Sequence, residues 1–489
     1  MTSPSLKELT VLHTATTRDA LNCIDRNAQG MVFVVSEKNV LLGLATDGDV
    51  RRALLRGATL DTPITEIMNR NYISSTVHIS DSQLLKLLSK DRARHIPLVD
   101  ENNVLVDYAS TARLHQIQVL QPNLSGNELA YVTECIKTNW ISSKGLYVRK
   151  FEEMFATYCR TEDALAVSNG TVAIHLALEA LHVGEGDEVI VPDFTFAATI
   201  NAVLHAGATP VIVDVEPATW TMDVSELEEA ITAKTKAIIP VHIYGHPCRM
   251  HEILDIAKNN RLFIIEDCAE ALGSKYKDVP VGTFGDAATF SFFGNKTITT
   301  GEGGMVLFRD RKIAERAALL RDHGMSKERR YWHEEVGYNY RMTNIQAAIG
   351  VAQMERLDGF VERKRAIAGR YNERLLTLQG FEIPAEESWA YNSYWLYTVL
   401  VDSSAAIQRD ELISKLLLNG IETRPAFFPL HEMPPYRKFA GEKSFTTTER
   451  IALHGLSLPS SVSLTDREID TIVDSLTELI QVRDLITNH

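Results

Sequence analysis

The sequence predicts an α/β protein: a mostly parallel sheet covered by helices, a small α+β C-terminal domain, and a separate α+β module in front. Three observations carry this. From about residue 126, short apolar runs alternate with helical segments, and such alternation implies parallel strands with helices on both faces. After about 365 the order changes to a helix, YWLYTVLV (394–401), proline- and aromatic-rich loops, and two final helices. Before about 115 the order is strand, turn, strand, helix, and it occurs twice.

The elements follow in chain order. MVFVVSEKNVLLGLATDGDVRRALLRG (31–57) is two β-branched runs separated by SEKN, then an arginine-bearing helix. HIPLVDENNVLVDYASTARL (95–114) is a weaker copy, which implies a module with internal pseudo-symmetry. HQIQVLQPNLSGNE (115–128), with Pro122, Ser125 and Gly126, reads as a linker. DALAVSNGTVAIHLALEAL (163–181) is then strand, turn and amphipathic helix. DEVIVP (187–192), TPVIVDV (209–215), KAIIPVHIYG (236–245), RLFIIED (261–267) and DAATFSFF (286–293) are buried-strand candidates, with helices such as VSELEEAITA (224–233) between them. The expected domains are 1–118, 126–364 and 365–489.

The totals bound the function. With 489 residues, 45% apolar and 23% charged, the chain has the balance of a soluble globular protein of several domains. A net charge of −14 and the lack of a basic block argue against a nucleic-acid partner. Five cysteines (Cys23, Cys135, Cys159, Cys248, Cys268) lack CxxC spacing, so neither a disulfide framework nor a zinc site is expected. MTSPSLKELTVLHTA lacks the basic-then-apolar order of a signal peptide, and no apolar run has membrane-spanning length. A cytoplasmic location, no metal and no membrane are the expectations.

Three stretches carry chemistry, all near predicted strand ends, where open parallel sheets bind ligands. Ser168-Asn169-Gly170-Thr171 opens a helix, whose free N–H groups can hold phosphate; an ordinary N-cap is the alternative. Glu266-Asp267-Cys268-Ala269-Glu270 closes a buried strand with carboxylates that are costly without a cation to meet them. A protonated pyridine nitrogen is one such cation, and capping the next turn is the other reading. FSFFGNKTITTGEGGMV (290–306) sets Lys296 between aromatics and glycines, either as an inert loop lysine or as a desolvated, reactive amine. Together they are the parts of a pyridoxal 5'-phosphate (PLP) site.

Residues 126–489 resemble the DegT/DnrJ/EryC1/StrS sugar aminotransferases, of the type I PLP-dependent (aspartate aminotransferase) fold. The matching stretches are NWISSKGLYVRKFE (139–152), SNGTVAIHLAL (168–178), VPDFTFAATINAV (191–203), PVHIYGHPC (240–248), EDCAEALGS (266–274), FSFFGNKTITTGEGGMV and GYNYRMTNIQAAIG (337–350). Within the family, HIYGHPC, FSFFGNKTITTGEGG and RYWHEEVGYNYRMTN look most like GDP-perosamine synthases.

The resemblance implies the following roles. Lys296 would attach covalently to the cofactor's aldehyde, Asp267 would pair with the ring nitrogen, and Glu270 would bond the ring hydroxyl. Phe196 and Ala269 would cover the two ring faces. Gly170, Thr171 and Ser291 would hold the phosphate, joined across a dimer interface by Asn339, or by Arg341 in its place. His242, Tyr244, Arg424 and His431 are candidate substrate contacts, a buried structural histidine being the alternative for His242. The implied reaction moves an amino group from glutamate to the 4-keto group of a nucleotide-linked 4-keto-6-deoxy sugar, in a homodimer or larger homo-oligomer. The nucleotide is open between GDP and UDP. A sugar dehydratase would lack the lysine, and a nucleotide sensor with an idle PLP fold would not need Lys296 and Asp267.

The first ~115 residues resemble a pair of cystathionine-β-synthase (CBS) repeats. GLATDGD (43–49) matches the GxxTxxD pattern, where Thr46 would meet a phosphate and Asp49 a ribose. In the second copy, DYASTAR (107–113), Asp107 replaces the glycine and Arg113 the ribose acid. A single nucleotide site, or a packing role alone, is expected.

Overall fold

The computed structural model describes residues 6–79, 83–84, 87–88, 95–110, 117–402, 405 and 407–481. The predicted helical start at 111–114, Arg113 and the first linker residues 115–116 lie outside these. The chain divides into two compact units, residues 1–117 with 417–420, and residues 118–416 with 421–489. No described helix is long and apolar enough to cross a membrane.

The first unit holds two three-stranded sheets of the same design. β1 (Thr10–Leu12) runs parallel to β2 (Met31–Val35), which pairs antiparallel with β3 (Leu41–Thr46). β4 (Ser75–Thr76) runs parallel to β5 (His95–Val99), which pairs antiparallel with β6 (Leu105–Ser110). Both hairpins shift register at corresponding places, Val34/Val35 and Leu98/Val99. Asn39 and Asn103 take left-handed turns at φ 60° and 58°, a conformation asparagine tolerates better than most residues. Each donates its amide to the other repeat: Asn39 to the Leu105 carbonyl at 2.8 Å, Asn103 to that of Leu41 at 2.9 Å. The two imperfect copies are thus one pseudo-twofold pair. Helix α1 (Thr17–Asn27) packs beside β2, and α2 (Asp47–Leu55) follows β3 directly.

The second unit is built on a seven-stranded sheet. Its strands are β7 (Ala164–Val167), β8 (Glu188–Pro192), β9 (Thr209–Val213), β10 (Thr235–Ile238), β11 (Phe263–Asp267), β12 (Ala287–Ser291) and β13 (Gly304–Phe308). In space they run β7-β13-β12-β11-β10-β8-β9. Pairings are parallel except those of β13, which is antiparallel to both neighbours. β13 was not foreseen: MVLF follows GEGG so closely that no connecting helix fits, and a short return can only give antiparallel pairing. The buried runs of Val and Ile are what a sheet covered on both faces requires.

Helix α3 (Gly170–Ala180) crosses this sheet and is apolar almost all round, with Ala173, Ile174, Leu176, Ala177 and Leu178 fully buried. Thr343 caps α4 (Asn344–Met354), and Gln346 accepts from the Thr343 N–H and hydroxyl. α5 (Leu357–Leu375) runs through residue 364, and an antiparallel sheet that includes Tyr397–Val401 and Gly455–Leu458 makes the small C-terminal part.

Candidate active site

The carboxyl ends of β7, β8, β11 and β12 lead into residues that line one cavity of about 960 Å³, among them Gly170 and Thr171, Phe196 and Thr199, Asp267 and Glu270, and Ser291 and Lys296. Asn169 caps α3, its side chain accepting the Val172 N–H at 3.0 Å. The first N–H groups of α3 have no intrahelical acceptor, so they form an anion cradle. Gly170 is required there: a Cβ would sit 2.8 Å from the Ser291 Cβ. Thr171 and Ser291 line the same wall.

Asp267 is buried at the end of β11. It accepts the Thr199 hydroxyl at 2.8 Å and the Ala269 N–H at 3.1 Å. Burial pushes its pKa up, opposed by these bonds and by the Lys296 charge. A buried carboxylate in that state favours a cation beside it. Glu270 accepts the Tyr244 N–H at 3.0 Å and faces Lys296 Nζ at 3.4 Å. The Lys296 side chain is only 12% exposed, and burial pulls its pKa down while Glu270 and Asp267 pull it up. Phe196, 60% exposed, and Ala269 line the cavity. The anion cradle, the buried acid and the enclosed amine fit PLP at its phosphate, ring nitrogen and aldehyde.

The other sequence candidates are dispersed. Tyr244 and Arg424 line the cavity, and Arg424 pairs with Glu422 at 3.3 Å. His242 does not line it: its ring is fully buried, bonded to Glu266 at 3.1 Å and to the Cys248 N–H at 3.0 Å. Glu266 is satisfied by three further N–H groups, those of Gly282, Phe284 and Gly285. His431 also lies off the cavity wall, bonded to Asp193 at 2.7 Å and stacked on Phe445. Asn339 is exposed and pairs in a bridge with Asp322, while Arg341 forms an ion pair with Asp322 at 2.9 Å. Thr46 and Asp49, in the other unit, cap α2. All five cysteines are free and buried.

Two residues went unnoticed in the sequence. Lys296 Nζ lies 3.6 Å from the centroid of the Trp395 ring, and Trp395 is distant in the chain, so no spacing signals it. Thr199, which holds Asp267, had a signal: it stands four residues after Thr195, and their hydroxyls lie 3.0 Å apart.

Residues 122–477 match the DegT/DnrJ/EryC1/StrS aminotransferase family. The chain belongs to that family. Residues 1–56 match the CBS domain, which covers the first of the two repeats. The aminotransferase is 49% identical over 362 residues to a GDP-perosamine synthase of Escherichia coli O157:H7, covering 74% of this chain and 98% of that one. DesV of S. venezuelae superposes with a TM-score of 0.69 at 35% identity, over 73% of this chain and 94% of its own. A putative sugar aminotransferase of Streptococcus pneumoniae in its PMP form gives 0.72 at 28% identity, over 76% and 100%. The aminotransferase therefore has the type I fold, depends on PLP and acts on a sugar.

Proposed function

We propose that the enzyme moves the amino group of glutamate to the 4-keto group of a GDP-linked 4-keto-6-deoxy sugar. The observation that carries this is the cavity itself, which Lys296, Glu270 and Asp267 line together with Gly170, Thr171 and Ser291, in a chain 49% identical over 362 residues to a GDP-perosamine synthase. When bound, PLP supplies an aldehyde that takes up the amino group and a ring that accepts electrons. The Asp267 carboxylate would pair with the ring nitrogen and keep it protonated, and Lys296 would carry the proton to and from the substrate carbon. Gly170, Thr171 and Ser291 bind the phosphate, while Phe196 and Ala269 cover the ring. Arg424, on the cavity wall, offers a cation to a substrate carboxylate or diphosphate. Asn339, exposed in the single chain, completes the phosphate site of a neighbouring copy in a homodimer. The enzyme works in the cytoplasm, in polysaccharide biosynthesis.

The test supplies full-length enzyme with glutamate and a panel of GDP- and UDP-linked 4-keto-6-deoxy sugars. Amino sugar formed from the GDP substrate, with matching 2-oxoglutarate, is expected. Product from UDP sugars alone would shift the reading to a UDP-4-keto-sugar aminotransferase. No amino sugar from any of them would end it.

A further inference from the structure

Glu270 is an enclosed carboxylate, 4% exposed, whose two oxygens meet different groups. Oε2 accepts the Tyr244 N–H at 3.0 Å. That N–H is aimed by left-handed backbone at Tyr244, φ 51°, a conformation a tyrosine adopts only at a cost. Gly245 follows at φ 103°, its carbonyl accepting the Ser274 hydroxyl at 2.6 Å. The turn is thus bent and tied down with its donor on Glu270. Oε1 is left facing Lys296 Nζ at 3.4 Å.

On its other side the lysine amine rests over the Trp395 ring, 3.6 Å from the centroid. That residue is held at both ends. Its indole N–H donates to the Asn295 backbone carbonyl at 2.7 Å, and its backbone carbonyl accepts from the buried Lys364 at 3.1 Å. A cation between a carboxylate and an aromatic face is a stable arrangement. An amide at position 270 would keep a hydrogen bond to the amine but remove the charge.

We propose that Glu270 is a catalytic residue that sets how tightly the Lys296 amine holds its proton, seating the amine against Trp395 whenever the lysine is free of the cofactor. This rests on the PLP-dependent reading above and adds a role to a group otherwise assigned only to the ring hydroxyl. The other charged group facing Lys296 is Asp267, and the buried Tyr244 phenol lies within the field of Glu270. The cavity lining also carries Arg424, Glu302, His175 and His205. Burial favours a neutral amine, and the Glu270 carboxylate opposes it. With the cofactor bound, Asp267 would be engaged by the ring nitrogen, and Glu270 would be the carboxylate left to face the lysine.

The test uses the full chain in two states. With cofactor removed, the pH dependence of Lys296 modification by an amine-selective reagent is read by peptide mass spectrometry. With cofactor bound, the pH dependence of its absorbance band is read directly. Glu270→Gln is expected to lower both midpoints by about one to three pH units, the usual effect of losing an adjacent opposite charge. Glu270→Asp keeps the charge but draws it back by one methylene, so it lowers them by less. Midpoints in Glu270→Gln that coincide with wild type in both states overturn the proposal. If that variant fails to fold, Glu270→Asp decides: no shift in either state overturns it equally. A wild-type chain that binds no cofactor would sink the functional reading instead, and the labelling arm would still judge the inference.

Discussion

The strand-to-helix junctions at Thr46 and at Asn169 begin alike and end differently. Each places a polar residue with extended backbone at the N-cap, and each caps the third residue on. At the first, Asp49 turns back and accepts both the N–H and the hydroxyl of Thr46, at 2.9 and 2.6 Å, while Arg52 binds its other oxygen at 2.7 Å. Two carboxylates, Asp47 and Asp49, occupy the first turn, so the positive end of the helix is already answered. At the second, the first turn of α3 carries no acid, and a glycine leaves room against Ser291. One junction closes on itself; the other stays open to an anion. A motif of cap residues therefore reads a local turn, and what turns it into a site is what other strands bring to it.

The strongest way to break this contrast is to remove the amine that faces the open junction. Lys296→Ala should abolish the pH-sensitive cofactor absorbance and the release of 2-oxoglutarate from glutamate, because no other lysine is among the described residues lining the cavity and arginine or histidine cannot form the covalent link. Undiminished 2-oxoglutarate production by that variant would refute the mechanism.

Asp267→Asn comes next. The amide keeps the Thr199 contact but cannot hold a proton on the ring nitrogen, so cofactor should stay bound through the cradle while the rate collapses. At ~1.4 kcal/mol for each factor of ten, a loss of about 100-fold or more corresponds to roughly 3 kcal/mol of barrier. Near-normal turnover would mean that the acid is another residue.

Much of this was legible in the sequence because parallel strands are buried on both faces and read as plain runs of Val and Ile. β8, β9 and β11 lie within a residue or two of DEVIVP, TPVIVDV and RLFIIED. The site was legible for a related reason: its residues sit at strand ends, which the runs delimit. What stayed hidden depends on contacts between distant segments. β13 was lost because a four-residue apolar run after glycines resembles a loop, and its antiparallel pairing comes only from the fold. Trp395 belongs to the small C-terminal part and meets Lys296 only when the chain closes. His242 seemed a substrate contact because it follows a strand, yet it points at Glu266 inside the core.

Gly170→Ala sharpens the comparison at smaller scale. The added methyl would press on Ser291 at a separation no real contact shows, so the cradle must widen. Cofactor affinity should fall by about tenfold, or ~1.4 kcal/mol, with the folding midpoint little changed. Equal cofactor affinity in an equilibrium titration would show that the phosphate is held elsewhere.

The smallest effect is expected at the closed junction. We propose that the N-terminal module takes one nucleotide per chain at Thr46 and Asp49 and tunes the reaction without performing it. Geometry sets the cost: a ribose hydroxyl donating to Asp49 competes with Arg52, and a phosphate at Thr46 meets the field of Asp47. Weak binding is therefore the expectation, because Arg51 and Arg52 are already paired with Asp47 and Asp49, and added salt should weaken any phosphate contact further. Asp49→Ala should cost the module about 1 kcal/mol through the lost capping box and should leave the nucleotide-free rate of the full chain unchanged. It should also erase any response of that rate to adenine or guanine nucleotides. Calorimetry on the full chain separates the outcomes, since a ligand must favour one arrangement to regulate anything. Heat in wild type that vanishes in Asp49→Ala places the ligand at this junction. No heat with any nucleotide, together with identical kinetics in both chains, would leave α2 with a cap and nothing more.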